Sequence, residues 1–152
     1  MGDFYQNGII TTLHNLVRRP VEDLEAELMS FRKARPMSLV LPSLYSELEG
    51  PALKNIVHEL GKVPYLDQVV IGLDRANEEQ YRHALEYFSE LPQNFKVLWN
   101  DGPRLRSIDL KLREQNLAPT EMGKGRNVWY CFGYVLASGR SEERRVGKEC
   151  VP

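Results

Sequence analysis

The chain has 152 residues, enough for one compact domain or part of a larger one. A net charge of -1, with 27% charged residues, argues against a protein built to hold nucleic acid, which wants a basic excess. A hydrophobic fraction of 42% with 9% aromatics can fill a core, which excludes global disorder.

No apolar run approaches the roughly 20 residues of a membrane helix, so no membrane association is expected. Met1 to Asn7 lacks the basic region and apolar block of a secretory signal. Gln6 stands where an N-myristoylation motif wants Ser or Thr. Cys131 and Cys150 form no metal or disulfide pattern. A cytoplasmic protein is the expectation.

In chain order, Ile9 to Leu13 suits either a short strand or a helix start. Pro20 then opens a helix, with Glu22, Asp23 and Glu25 at its positive end and Leu24, Leu28 and Phe31 at helical spacing. Met37 to Leu41 reads as a buried strand ended by Pro42. The next helix carries Leu53, Ile56, Val57 and Leu60 on one face, with Gly61 as its stop. Leu66 to Leu73 is the second strand. Asn77 caps a third helix striped by Tyr81, Leu85 and Phe88. Phe95 to Trp99 is the third strand, followed by a turn at Asn100 to Pro103. The next helix turns Leu105, Ile108, Leu112 and Leu110 inward, and the last one runs from about Arg126 to Ser138.

Strands alternating with helices imply crossovers and a mostly parallel sheet. Ligands of such sheets sit beyond the carboxyl ends of the strands. That rule points to Pro42 to Glu47, Asp74 to Asn77 and Asn100 to Arg104. Pro42-Ser43-Leu44-Tyr45-Ser46-Glu47 follows the first strand. As plain structure, Pro42 ends the strand, Ser46 caps the helix and Glu49 closes a capping box. As a site, the turn cradles a base and ribose. Asp74 ends the second strand, where it either accepts from a ligand or feeds the Asn77 cap. Gly123-Lys124-Gly125-Arg126-Asn127 lacks phosphate-loop spacing, yet its glycines expose amides, and Lys124 and Arg126 add charge suited to a diphosphate. The bland alternative is a loop with a solvated lysine. Arg104 and Arg106 either hold an anionic acceptor or form an exposed helix edge. His14, His58 and His83 are scattered, and Cys131 reads as a small core residue.

Residues 140–152 are polar and dense in charge. Arg140 to Cys150 looks like a sequencing-adapter end translated in frame, so the native sequence is expected to stop near Gly139. A solvated C-terminal tail is the alternative.

In order and spacing, the patches resemble the nucleotide-sugar-binding half of GT-A glycosyltransferases, and most of all the glucosyl-3-phosphoglycerate synthases. That family has a Pro-Ala-Leu-Asn-Glu-Glu type turn. Here Pro42, Leu44 and Glu47 match, whereas Tyr45 and Ser46 depart. Asp74 matches the start of the family's Asp-Ser-Gly-Ser turn; Arg75 to Asn77 do not. Gly123-Lys124-Gly125 followed by Trp129, then Ser138-Gly139, matches Gly-Lys-Gly-x-x-x-Trp and a helix ending in Ser-Gly. The likeness covers about residues 36–139.

The resemblance implies an α/β fold: a truncated, partial GT-A (Rossmann-like) three-layer sandwich. It divides the chain into a helical extension over 1–35, a nucleotide-sugar-binding part over 36–139 and a non-native tail over 140–152. Its implied reaction is transfer of glucose from UDP-glucose, or a related UDP-sugar, to 3-phosphoglycerate or a similar small anionic acceptor. Pro42, Ser43, Leu44, Glu47, Asp74, Lys124 and Gly125 would hold the donor. A divalent metal, Mg or Mn, would be held by an Asp-x-Asp motif that this chain lacks, so the chain alone is expected to be inactive. A cut sheet would leave an open edge, inviting a homo-oligomer. The alternatives are a complete, non-catalytic α/β nucleotide-binding or interaction module, and a nucleotidyltransferase. The latter lacks its Gly-rich basic loop after the first strand.

Overall fold

The computed structural model describes residues 19–121 and 123–138. The element at Ile9 to Leu13, His14, and the tail over 140–152 lie outside them. Three strands, β1 (Met37–Leu44), β2 (Leu66–Asp74) and β3 (Asn94–Trp99), form one parallel sheet in that order. Helices α1 (Val21–Phe31), α2 (Pro51–Leu60), α3 (Glu78–Phe88), α4 (Pro103–Glu114) and α5 (Lys124–Ala137) accompany it. Helices flank both faces of the parallel sheet, a Rossmann-like α/β arrangement.

The central strand explains the layering. Side chains alternate across a strand, so β2 serves two faces at once. Val69, Ile71 and Leu73 turn to one side and join Leu53, Val57, Ala84 and Phe88 of α2 and α3 in the main core. Gly72 and Asp74 turn to the other, where α5 lies across the sheet. Near-continuous apolar sequence is what a strand covered on both faces requires.

Asn77 caps α3 as its sequence signals. Its Oδ1 accepts from the Gln80 amide at 2.9 Å, and Gln80 Oε1 accepts from the Asn77 amide at 2.9 Å. Asn116, at φ 56, closes α4 in the left-handed conformation that Asn tolerates.

Three expectations need correction. β1 continues through Pro42 to Leu44, because β1 is an edge strand of this sheet and an edge tolerates a missing N–H. Ser46 and Glu49 cap nothing. A 3-10 turn over Tyr45–Glu49 intervenes, Gly50 precedes α2, and Pro51 opens it. Gly61 stops α2 as expected, although at φ -58 it stays right-handed. Ile108 and Leu110 of α4 are 49% and 61% exposed, and no residue of α4 is buried. α1 forms as expected, but its Leu24 and Phe31 remain exposed as well. Its end is tied to the start of β2 by Arg32, whose Nη1 donates to the Pro64 carbonyl at 2.7 Å.

α5 reaches β2 at one close approach. A Cβ on Gly72 would fall 1.6 Å from Asn127 Oδ1 and 2.8 Å from Cys131 Sγ. Only glycine admits the helix at this separation. Gly72→Ala is therefore expected to cost about 1–3 kcal/mol by overpacking, read as a lower denaturation midpoint in urea. A change within about 0.5 kcal/mol, the range of an ordinary surface substitution, would show that α5 is not held there.

Candidate functional site

The ends of β1 and β2 and the start of α5 enclose a cavity of about 420 Å³. Its walls include Pro42, Ser43, Leu44, Glu47, Asp74 and Lys124, residues far apart in sequence. Gly125, also expected here, is not among the lining residues; it is exposed in the first turn of α5. Arg75, Asp101, Gly123, Arg126 and Asn127 complete the wall.

The β1 wall is braced by Glu47. Its Oε2 accepts from the Leu44 amide at 2.8 Å and from Ser43 Oγ at 3.1 Å. Part of this carboxylate is thus committed to the shape of the turn. Tyr45 leaves the wall: its hydroxyl meets His83 Nδ1 of α3 at 3.1 Å.

Asp74 is the buried carboxylate at the end of β2. Asn100 Nδ2 donates to its Oδ1 at 2.8 Å. Arg126 Nη2 stands 3.9 Å from the same oxygen, at the outer limit of an ion pair. Asp74 therefore does not feed the Asn77 cap. Two buried polar atoms beside it have no partner among the described residues: Asn100 Oδ1 and Arg126 Nε. Such atoms are costly inside a protein unless water or a ligand serves them.

The third wall is the N-terminus of α5, which begins at Lys124, two residues earlier than expected. Gly123 adopts φ 151, open to glycine but strained for other residues, and no side chain caps the helix. Its first amides and the positive end of its dipole face this wall uncapped.

Asn127 and Cys131 place that helix end. Asn127 Nδ2 donates to the Gly72 carbonyl at 2.8 Å, and the Cys131 thiol points at Asn127 Oδ1 at 3.7 Å. Asn127 was visible only as part of the Gly-Lys-Gly patch. The signal that singles it out is its spacing of four from Cys131, on one helix face, together with a glycine inside the β2 run. Tyr130 extends the support to α4, its hydroxyl donating to Asp109 Oδ1.

Arg106 lies outside this cavity, in an adjoining hollow, and Arg104 borders neither. Among the described residues no group of three or more His, Cys, Asp or Glu side chains could hold a metal ion. No helix among them is long and apolar enough to cross a membrane.

Burial, and then the nearby Asp74 charge, push the Cys131 thiol from 9.0 to about 12. The unfolded thiol releases its proton near 9.0 while the folded one keeps it, so stability falls as pH climbs from about 9 towards 12 and is intact below 9. Tyr130, raised from 10.0 to about 12 by burial and then by Asp109, adds a fall that starts one step later. Tyr87 is raised by burial as well. Cys131→Ala should flatten the decline between pH 9 and 10 and lessen it from 10 towards 12, where Tyr130 still contributes. Denaturation midpoints across that range check this; an unchanged slope would refute the buried, protonated thiol.

Comparison with known proteins gives two relatives. The glucosyl-3-phosphoglycerate synthase of Persephonella marina is 47% identical over 137 residues, which is 90% of this chain and 34% of that protein. The glucosyl-3-phosphoglycerate synthase of Methanococcoides burtonii is 40% identical over 132 residues, 86% of this chain and 32% of that protein. The chain thus spans about a third of the length of the curated relatives it matches. No protein-family model and no solved structure matches it significantly. Homology over most of its length links the chain to a glycosyltransferase family represented by these synthases.

Proposed function

We propose that this chain forms the donor-binding part of a GT-A glycosyltransferase whose whole polypeptide transfers glucose from UDP-glucose to 3-phosphoglycerate or a similar small anionic acceptor. The observation that carries the reading is the convergence of Pro42, Ser43, Leu44, Glu47, Asp74 and Lys124 on one cavity at the carboxyl end of a parallel sheet. The two synthases named above form glucosyl-3-phosphoglycerate by name, which supports a glucosyl product of this kind.

Each wall has a role in this reading. The braced turn from Pro42 to Glu47 holds the uridine, and Asp74 accepts from the base or ribose. Lys124 and the uncapped amides of α5, Gly125 among them, take the diphosphate. Arg126 Nε, buried without an acceptor, offers one further donor. Positive charge there would offset the charge that builds on the leaving diphosphate.

A divalent metal belongs to the reaction of the whole enzyme in this reading. The described residues do not fit one, since their acidic, His and Cys side chains gather no ligand group. Binding and orientation of the donor are what these residues can supply, and the chain alone is proposed not to transfer sugar.

Calorimetric titration of the 152-residue chain with UDP tests this. UDP should bind, and Lys124→Ala should weaken it about tenfold, the worth of one charge-assisted contact. Absence of UDP binding, with GDP bound in its place, would sink the uridine assignment. Metal-dependent sugar transfer by the chain alone would overturn its proposed inactivity.

A further inference from the structure

Arg126 is the charged side chain that the donor cavity leaves half served. Its side chain is 9% exposed, yet its Nε has no partner among the described residues. Its Nη2 approaches Asp74 Oδ1 only to 3.9 Å, beyond hydrogen-bond length. A guanidinium drawn in from water costs free energy until acceptors meet it. The space that Arg126 borders is the cavity itself.

A chain of side chains leads away from Arg126 on its other side, and none of them lines the cavity. One turn along α5, Tyr130 presents its ring to the guanidinium, whose Cζ lies 6.0 Å from the ring centroid. Tyr130 is 6% exposed, and its hydroxyl donates to Asp109 Oδ1 of α4. The other oxygen of Asp109 accepts from Arg113 Nε at 2.6 Å. Both oxygens are thus engaged, which fixes the carboxylate and, through it, the phenol.

Packing alone does not explain this arrangement. α4 leaves the apolar Ile108 and Leu110 exposed and turns the acid between them towards α5. A carboxylate placed there has an electrostatic effect that a leucine lacks. A phenol that donates to a carboxylate gains electron density on its ring, and a richer ring holds a cation more firmly.

We propose that Asp109 and Tyr130 are positioning residues that hold the Arg126 guanidinium ready for the diphosphate of the donor. The inference rests on the donor reading above and adds to it a role for α4. An arginine loses rotamer freedom when it grips a ligand, and one fixed beforehand loses less.

Calorimetric titration of UDP into the full chain and its variants, arranged as a double-mutant cycle, tests the assignment. Arg126→Met should weaken UDP about tenfold, as loss of one charge-assisted contact does. Tyr130→Phe keeps the ring and loses the hydroxyl; it should weaken UDP about threefold. Added to Arg126→Met, the same change should weaken UDP no further, because no guanidinium is left to position. Its thermal midpoint should fall in both backgrounds, since the bond to Asp109 is lost in both. A merely structural bond would instead cost the same affinity with and without Arg126. Asp109→Asn still accepts from the hydroxyl and should cost less affinity than Tyr130→Phe; it takes the place of Tyr130→Phe in the cycle should that variant not fold. Unchanged UDP affinity in Arg126→Met overturns the inference and leaves the donor reading standing. So does equal loss from Tyr130→Phe in both backgrounds, or no loss in the chain that keeps Arg126. An unmodified chain that binds no UDP overturns the donor reading, and this inference with it.

Discussion

The missing side chain at Gly72 is the constraint on which the candidate site rests. It lets α5 approach the central strand until Asn127 can donate to the Gly72 carbonyl and Cys131 can seal the space beneath. The first turn of α5 then lies beside the end of β2, with Lys124 and Arg126 facing Asp74 across a cavity. A helix displaced by even one methyl group would open that wall. The same contact leaves the Cys131 thiol dry and protonated, which marks it as a packing residue and not a nucleophile.

Strand alternation converts this local contact into an architecture. One face of β2 is committed to bulk: Val69, Ile71 and Leu73 are fully buried against α2 and α3. The other is committed to closeness and polarity, ending in Gly72 and Asp74. Stability and ligand contact are thereby assigned to opposite sides of one strand. Beyond its end, Asn100 and Asp101 extend β3 into the same region, one tied to Asp74 and the other to the Ala76 amide. Arg75 and Asp101 border both the donor cavity and the hollow that adjoins it.

Much of this was legible in the residues. The apolar run from Leu66, the Asn77 cap and the strand ending at Trp99 follow from period and capping chemistry, and the sheet is parallel as the alternation requires. Most residues assigned to the donor from strand ends and family resemblance do line one cavity. What sequence hid depends on three dimensions. Pro42 reads as a stop because nothing local says that β1 is an edge. Ile108 and Leu110 read as inward because period cannot tell a covered face from an open one. Glu47 is a brace as well as a wall, through bonds that only the folded turn creates. Gly72 carried a signal, a glycine inside a buried strand, whose meaning needed Asn127, a residue 55 positions away.

A crystal structure of the chain with UDP tests the central claim most directly. The account predicts uridine between the Pro42–Glu47 turn and Asp74, and the diphosphate on the first amides of α5 beside Lys124, with Asn127 still bonded to Gly72. Nucleotide bound elsewhere, or α5 drawn away from Gly72 with UDP in place, would contradict it.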